Sequence, residues 1–329
     1  MEILDKEKWG QLIVDIENLH ILQSYEWGEL KSQFGWEPIR LVHNGVVFQI
    51  LLKKLPLGFH IAYIPKINND VNENGLLKRV DDFCKSQRVI YLKIEKDGFQ
   101  NQESDEIITS GFILGKSIQP RRTIVINLDG DEDLWMKRMK SKTRYNIRLA
   151  IKKDVKVETS DDISTFYDLM VDTGNRDQFG VHSKRYYQVA YDLFSEKDLV
   201  TLLIAKYDQT PLAGIMVFRQ GNRSWYFYGA SNNHERNRMP TYLLQFEAMK
   251  WAKSKGCETY DLWGIPDENQ EILERDFENR SDDLWGVYRF KRGFGGEIRR
   301  SPPALDRVYN PILYKLIGLY QKYRGNLAG

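Results

Sequence analysis

The chain runs twice through one order of elements. A two-stranded hairpin, a third strand, a helix and a strongly apolar strand are expected within residues 38–95, and the same series within residues 199–265. In the first round, IRLVHNGVVFQILLKKL carries Asn44-Gly45 between two apolar runs. That pair favours a tight hairpin turn, whose central residues need positive φ. HIAYIP (60–65) reads as a strand and GLLKRVDDFCKSQ (75–87) as a helix. VIYLKIE (89–95) is a continuous apolar run typical of a strand buried on both faces. In the second round, LVTLLIAKYDQTPLAGIMVFRQ is a hairpin turning at 207–211, and SWYFYGAS (224–231) is a strand. PTYLLQFEAMKWAKSKG (240–256) is an amphipathic helix with Pro240 in its first turn and Gly256 at its C-terminal end, and TYDLWGI (259–265) is the closing strand. A helix joining two strands of one sheet crosses the sheet face. The repeat therefore implies two copies of one α/β unit built on mixed sheets.

This order resembles the GNAT acyltransferase fold. The expected fold class is α/β (α+β, mixed sheets), with two GNAT-like domains in tandem at residues 1–121 and 122–303. The remaining elements fit around them. Helices are expected at 5–19 and at 24–34, the second capped by Ser24, and short strands at 112–116 and 123–128. A long helix or broken pair is expected at 133–155, with helices at 162–174 and 183–194. A last helix, 307–324, follows the Ser301-Pro302-Pro303 break; it can pack back on either copy, and 304–329 is grouped with the first.

At 329 residues the chain suits two domains of ordinary size. Its net charge of +2 leaves any affinity for polyanions to local patches. Cys84 and Cys257 are far apart with no CxxC spacing, so they read as reduced, buried thiols. The start lacks the basic and apolar regions of a signal peptide, and no run reaches 18 apolar residues. A cytoplasmic protein is expected.

The segment LWGVYRFKRGFGGE (284–297) mixes aromatics with cations and then glycines. As a strand it puts Tyr288, Phe290 and Arg292 on one side and Arg289 and Lys291 on the other. The glycines permit a sharp turn or close approach of backbone to another group. A lysine among aromatics suits the holding of developing negative charge, since shielding from water strengthens a fixed charge. The alternative is a buried edge strand whose cations reach out to solvent.

Residues 137–156 carry nine cations, Lys137, Arg138, Lys140, Lys142, Arg144, Arg148, Lys152, Lys153 and Lys156, with no acid before Asp154. They form a candidate patch for phosphates or RNA, or else a solvated face paired with acids from elsewhere. Trp135, Met139, Ile147 and Ile151 are the core-facing side. Tyr226 and Tyr228 alternate with Trp225 and Phe227, which places both hydroxyls on one strand face. Asp261 lies inside an apolar strand, where a carboxylate needs a partner and its pKa rises; it reads as a structural acceptor or a base. The junction HERNRMPTYLL (234–244) has no glycine cradle for a pyrophosphate, and NDVNENGLLKR in the first copy has only Gly75. Acetyl-CoA is therefore not expected, and the histidines show no metal-ligand spacing. No cofactor is expected.

The blocks QSYEWGELKSQFGW, LWMKRMKSKTRYNIRLA, WYFYGASN, MPTYLLQFEAMKWAKSKG, YDLWGI and YRFKRGFGG, in this order over nearly the whole chain, resemble the FemABX family. Its members are non-ribosomal peptidyltransferases that move an amino acid from aminoacyl-tRNA onto a peptidoglycan precursor, and their fold is a pair of GNAT-like domains. The resemblance implies that Lys31, after the Trp-Gly block, contacts precursor phosphates. Tyr186 and Tyr228 match substrate-binding tyrosines, and His182 falls where a related member has arginine. Phe290 and Lys291 match a Phe-Lys pair that engages the tRNA acceptor end and supports catalysis. No stretch sustains heptads, so a short member without the family's coiled-coil arm is implied.

The expected activity is aminoacyl transfer to the stem-peptide amine of a UDP-linked or lipid-linked precursor, by a monomer with peripheral contact to the inner membrane face. Lys291 stabilises the oxyanion. The tRNA is expected to be met by Arg144 and Arg148, or by Arg289, Arg292, Arg299 and Arg300, and a proton relay falls to the substrate itself, to Asp261 or to Glu95. Lys31, Tyr186 and Tyr228 are expected to share a cleft between the copies. The rivals are a CoA-dependent N-acyltransferase on the same fold and a non-catalytic RNA- or membrane-surface-binding protein.

Overall fold

The computed structural model describes residues 1–14, 16, 19–69, 71, 75–99 and 111–324. Two compact units emerge: Met1–Arg121 with the segment from Arg300 onward, and Arg122–Arg299. Each is built on a mixed sheet. The first sheet runs in the order Glu2–Ile3, Glu37–His43, Val46–Lys54, His60–Ile67, Val89–Lys96, Leu305–Val308, Ile113–Leu114. The second runs Glu297–Arg300, Arg122–Asn127, Thr259–Asp261, Arg223–Ser231, Thr210–Gln220, Val200–Tyr207, Lys156–Ser160.

The repeat read from the sequence is present. His60–Ile67 pairs in parallel with Val89–Lys96, and Arg223–Ser231 pairs in parallel with Thr259–Asp261. Helix Leu76–Ser86 makes the first crossover and helix Pro240–Ser254 the second. Both hairpins turn through two residues of positive φ: Asn44 (48°) and Gly45 (81°), then Asp208 (46°) and Gln209 (65°). Neither Asp208 nor Gln209 is glycine, so the second turn was legible only from its flanking strands.

In the second unit the sheet is covered on both faces. Ile147, Leu244 and Met249 pack with Leu203, Ile215 and Val217 on one face, under helices Ser141–Lys152 and Pro240–Ser254. Gly214 faces the other way, where an added Cβ would meet Phe166 and Leu169 of helix Ile163–Asp177. In the first unit, Leu76, Val80 and Cys84 cover Ile50, Leu52, Ala62 and Ile94. Leu313, Tyr314 and Ile317 of the last helix pack with Ile61, Ile90 and Tyr91. Both cysteines are free and buried.

Several expectations fail locally. The segment 284–297 is not a strand. Trp285–Lys291 is an α-helix followed by a 3-10 turn at Arg292–Phe294, and its buried residues Trp285, Tyr288 and Lys291 recur every third position. A short aromatic run does not distinguish the two periods, and here helical packing against Glu274 and Tyr242 decides. The closing strand stops at Asp261 rather than 265. The last helix starts at Pro311; Leu305–Val308 is a strand bonded to Val89–Lys96, because Asn310 and Pro311 first permit a helix start. Ile151 is not core: it is 57% exposed, since the break at 139–140 rotates the second half of the basic segment. The first helix spans Lys6–Val14; the rest of the expected 5–19 span, like much of NDVNENG, falls partly on residues outside those described.

Candidate active site

Lys291 ends its helix with its ammonium pointing into the second unit, and the residue is 5% exposed. Its Nζ donates to the carbonyl oxygens of Gly264 at 2.9 Å and Trp263 at 3.1 Å, and lies 5.5 Å from the centre of the Tyr226 ring. Those carbonyls are available because the chain leaves the sheet after Asp261 through Trp263, which sits at φ 61°. A tryptophan in the left-handed region carries strain, and such strain concentrates where a site needs a particular backbone direction. Burial pushes the lysine down to about 7, although the nearby Asp261 carboxylate works to raise it. Asp261 itself is held above the usual carboxylate range by burial. It accepts hydrogen bonds from the Thr123 hydroxyl and, at 2.7 Å, from the Trp263 amide, so it fixes the same turn that aims the carbonyls.

The glycines after Lys291 hold this helix against the core. A Cβ on Gly295 (φ 80°) would come within 2.5 Å of the Arg138 carbonyl oxygen, and one on Gly296 within 2.7 Å of the Val125 carbonyl oxygen. The close approach expected of them is therefore real. Phe290 packs edge-on to Tyr242 at 5.0 Å and Phe294 at 5.1 Å. It faces neighbouring rings beside the lysine rather than sharing its contacts.

Tyr226 and Tyr228 do not share a face. Strand Arg223–Ser231 bulges: Val217 pairs with Tyr226 and Met216 with Tyr228, leaving Phe227 as an extra residue. Consecutive partners point to opposite faces, so the two tyrosines part. Tyr226 joins the core under Pro240–Ser254, and Gly229 makes room for it, since a Cβ there would fall 2.2 Å from its hydroxyl. Tyr228 turns to the opposite face and its hydroxyl donates to that of Tyr186 at 3.3 Å. His182 stacks on Tyr186 at 3.9 Å, and Tyr187 lies 5.3 Å from Tyr228. The three residues expected from helix and strand, His182, Tyr186 and Tyr228, are thus brought together. Tyr187 and Trp263 were missed; Trp263 meets Phe227 at 4.7 Å, and only its non-glycine turn marks it.

Lys31 belongs to the first unit, in the last turn of helix Tyr25–Ser32, 5.2 Å from the Trp27 ring centre. Ser24 caps this helix by accepting from the Trp27 amide at 3.1 Å. Lys53 lies over Trp36 at 5.2 Å. Burial and then the charge of Lys31 lower its pKa, so the two cations lie near each other, each over its own tryptophan. Lys53 was not singled out in the sequence, because a lysine at a strand end is common. Glu95 is fully engaged: Tyr63 donates at 2.6 Å, the Ile118 amide at 2.6 Å and the Gln119 amide at 3.2 Å. These three donors make it an acceptor within the first unit.

The basic segment is a broken pair, Glu132–Arg138 and Ser141–Lys152. Arg148 and Lys152 are exposed beside Tyr145, while Arg144 turns back to donate to the Met139 carbonyl. Arg289 and Arg292 hold their own unit together. Arg289 donates to the carbonyls of Phe277 and Glu278, and Arg292 clasps Glu274 and covers the Phe277 ring. That ion pair is the main reason Glu274 falls to about 2. At the start of Pro240–Ser254, Met239 is left-handed and Arg238 donates to the Lys153 carbonyl at 2.7 Å, which braces the glycine-free junction. An open depression of about 610 Å³, lined by residues such as Trp135, Thr159 and Trp251, includes none of the residues around Lys291 or Tyr228.

Known proteins share this architecture. A solved structure of FemX superposes with a TM-score of 0.81 over 96% of this chain and 100% of that one, at 23% identity. A tandem GNAT protein from the clavulanic acid pathway gives 0.52 over 92% and 96%, at 11% identity. The fold is accordingly two GNAT-like domains in tandem. The lipid II:glycine glycyltransferase of Staphylococcus epidermidis is 26% identical over 91% of this chain and 90% of its own length. That alignment runs over 385 positions against a chain of 329, so the relative carries inserted residues. No described helix here exceeds 15 residues, which leaves no arm among the described residues. The profile of the FemAB family matches residues 5–209 and 196–322, and with nearly the whole chain so accounted for, the protein belongs to that family.

Proposed function

We propose that the protein transfers an aminoacyl group from the ester of an aminoacyl-tRNA to the side-chain amine of a stem peptide in a peptidoglycan precursor, acting at the cytoplasmic face of the membrane as a monomer. The observation that carries this reading is Lys291: a buried lysine held by two backbone carbonyls at a strained turn, in the segment that the family resemblance assigns to the tRNA acceptor end. The amine nitrogen attacks the ester carbonyl, the C–O bond to the ribose breaks, and the proton shed by the amine ends on the departing ribose oxygen. Between these events a tetrahedral oxyanion forms, and a preorganised cation in a dry site stabilises it far better than water does. The oxyanion in turn strengthens the hold of Lys291 on its proton.

Phe290 and its aromatic neighbours shield the lysine. His182, Tyr186 and Tyr228 bind the precursor through ring faces and hydroxyls, and Lys31 with Lys53 meets its phosphates. Lipid II is named as the substrate of the staphylococcal relatives, which supports a lipid-linked acceptor here. The exposed cations of Ser141–Lys152 receive tRNA phosphate. Asp261 shapes the Trp263 turn and is a positioning residue in this scheme. The test is mass spectrometry of UDP-linked and lipid-linked precursors incubated with the protein and a mixed pool of charged tRNAs. A precursor heavier by one aminoacyl residue, dependent on charged tRNA, is the expected result. Transfer from acetyl-CoA, or tight tRNA binding without any product, would sink the proposal.

A further inference from the structure

We infer that the outer face of the C-terminal helix, together with the turn at Leu57, docks this protein on an anionic lipid surface. Helix Pro311–Arg324 has two apolar rows. The inner row, Leu313, Tyr314 and Ile317, packs on the first sheet, and the Tyr314 hydroxyl donates to Asp306 at 2.8 Å. The outer row is Ile312, Leu316, Leu319 and Tyr320, all exposed, with Ile312 at 73%. At about 100° per residue these four positions span an arc of roughly 100°, a coherent stripe.

Leu57 adds to the stripe. It is 85% exposed and sits at φ 63°, a backbone state that glycine or asparagine would occupy more cheaply. Its flanking residues Leu55 and Phe59 belong to the same cluster as the inner row, which ties the turn to the helix. The charge pattern selects the occupant. The helix has no acidic residue; its charges are Lys315, Lys322 and Arg324. Arg88, exposed, lies 4.5 Å from the Phe59 ring centre and adds a cation on the side of the turn. An apolar stripe with cations and no acids suits an interfacial helix on anionic lipid. Self-association through the helix would set cation against cation with no carboxylate on it to compensate. No helix among the described residues is long and apolar enough to cross a membrane, so the contact is one of lying on the surface.

Membrane docking deepens the proposed function, because it brings the enzyme to a lipid-borne acceptor; it rests on that reading for its purpose, not for the binding itself. The experiment uses the full chain in sedimentation with vesicles of phosphatidylglycerol and phosphatidylethanolamine, against phosphatidylcholine alone. Binding to the anionic vesicles is expected, with at least tenfold weaker partition for Leu316→Glu/Leu319→Glu. A milder variant, Leu57→Ser, guards against misfolding and should weaken binding severalfold with an unchanged melting temperature. Equal binding by wild type and the double variant overturns the inference. So does absence of binding, or a double variant that merely dissociates a dimer in ultracentrifugation. Transfer to a UDP-linked soluble precursor, run in parallel, separates the two claims. Product without vesicle binding ends the docking surface alone; vesicle binding without product from either precursor ends the proposed function alone.

Discussion

The two copies of the crossover diverge at their last strand. In the first, Val89–Lys96 runs eight residues and is bonded on both sides, to His60–Ile67 and Leu305–Val308. Its buried charged groups are satisfied: Lys93 pairs with Asp306 at 2.6 Å, and Glu95 takes three hydrogen-bond donors. In the second, the equivalent strand stops after Thr259–Asp261 and the chain turns at Trp263. There a buried lysine faces two carbonyls, with its pKa down near 7, and a buried carboxylate is pushed upward. One copy completes the sheet and the other breaks it. A buried charge whose partners satisfy it stabilises structure, whereas one left partly compensated is available for chemistry. Departures from the repeat therefore single out the candidate site better than the repeat does.

The largest effect expected from this contrast sets Lys291→Met against Lys93→Met. Loss of an oxyanion donor costs roughly a hundred- to a thousand-fold in turnover. Lys291→Met should lower the single-turnover rate at saturating substrates by about that factor, with precursor affinity little changed. Arginine should not restore the rate, because its planar fork does not fit a pocket shaped for an ammonium. Lys93→Met instead strands Asp306, a buried charge, which costs about 3–5 kcal/mol of stability; its folded fraction should turn over at the wild-type rate. Wild-type single-turnover rates for a folded Lys291→Met enzyme would erase the distinction between the copies.

The pH dependence of stability sharpens it. Unfolded, a lysine keeps its proton to about 10.5; folded, Lys291 releases it at about 7. Between those values the unfolded chain binds more protons, so stability contributed by this residue rises with pH. Below about 7 both states are protonated, the burial penalty is fully present and the contribution is flat. Relative to Lys291→Met, wild-type unfolding free energy should climb by at most about 1.4 kcal/mol per pH unit across that window. Parallel curves from denaturant melts at pH 6–10 would mean that Lys291 is not buried as a free charge. In the same range the chemical step should slow as pH rises through about 7. A rate that instead grows would make the neutral amine a base.

Much of the fold was legible because periodicity and turn residues agreed over long stretches, as in 38–95 and 240–254. Lys291, Tyr186 and Tyr228, which the family blocks single out, each lie among aromatic rings. What the sequence hid was local. The bulge at Phe227 leaves no signature in WYFYGAS, since alternation and its interruption contain the same residue types, and it reversed the face of Tyr226. The helix at Trp285–Lys291 is too short for its period to declare itself. Lys53 needed three dimensions, because only the fold brings it beside Lys31 and over Trp36.

That cation pair is the binding element proposed for the first copy, to set against the chemistry proposed for the second. Lys53→Ala should weaken a phosphate-bearing precursor about tenfold, the scale of a charge-assisted hydrogen bond. A bare stem peptide should be unaffected. In a double-mutant cycle with Lys31→Ala the losses should be less than additive, since both lysines face one group. Equal losses with and without phosphate in the ligand would assign Lys53 to the fold.

The smallest effect concerns the solvent face of the second copy. Arg148 and Lys152 are exposed on Ser141–Lys152, whereas Arg289 is spent on the carbonyls at 277–280. Each phosphate contact on nucleic acid contributes roughly 0.7–0.9 to the slope of log affinity against log salt. Arg148→Ala/Lys152→Ala should flatten that slope for tRNA by about 1.4–1.8, while affinity at physiological salt falls only severalfold. Arg289→Ala should lower the melting temperature and leave the slope alone, because its donors already have partners. Fluorescence titrations of tRNA from 50 to 300 mM salt, values chosen about the range where counterion release is measurable, separate these outcomes. An unchanged slope in the Arg148/Lys152 variant, with a flattened one in Arg299→Ala/Arg300→Ala, would move the RNA contact from the basic helix to the strand Glu297–Arg300.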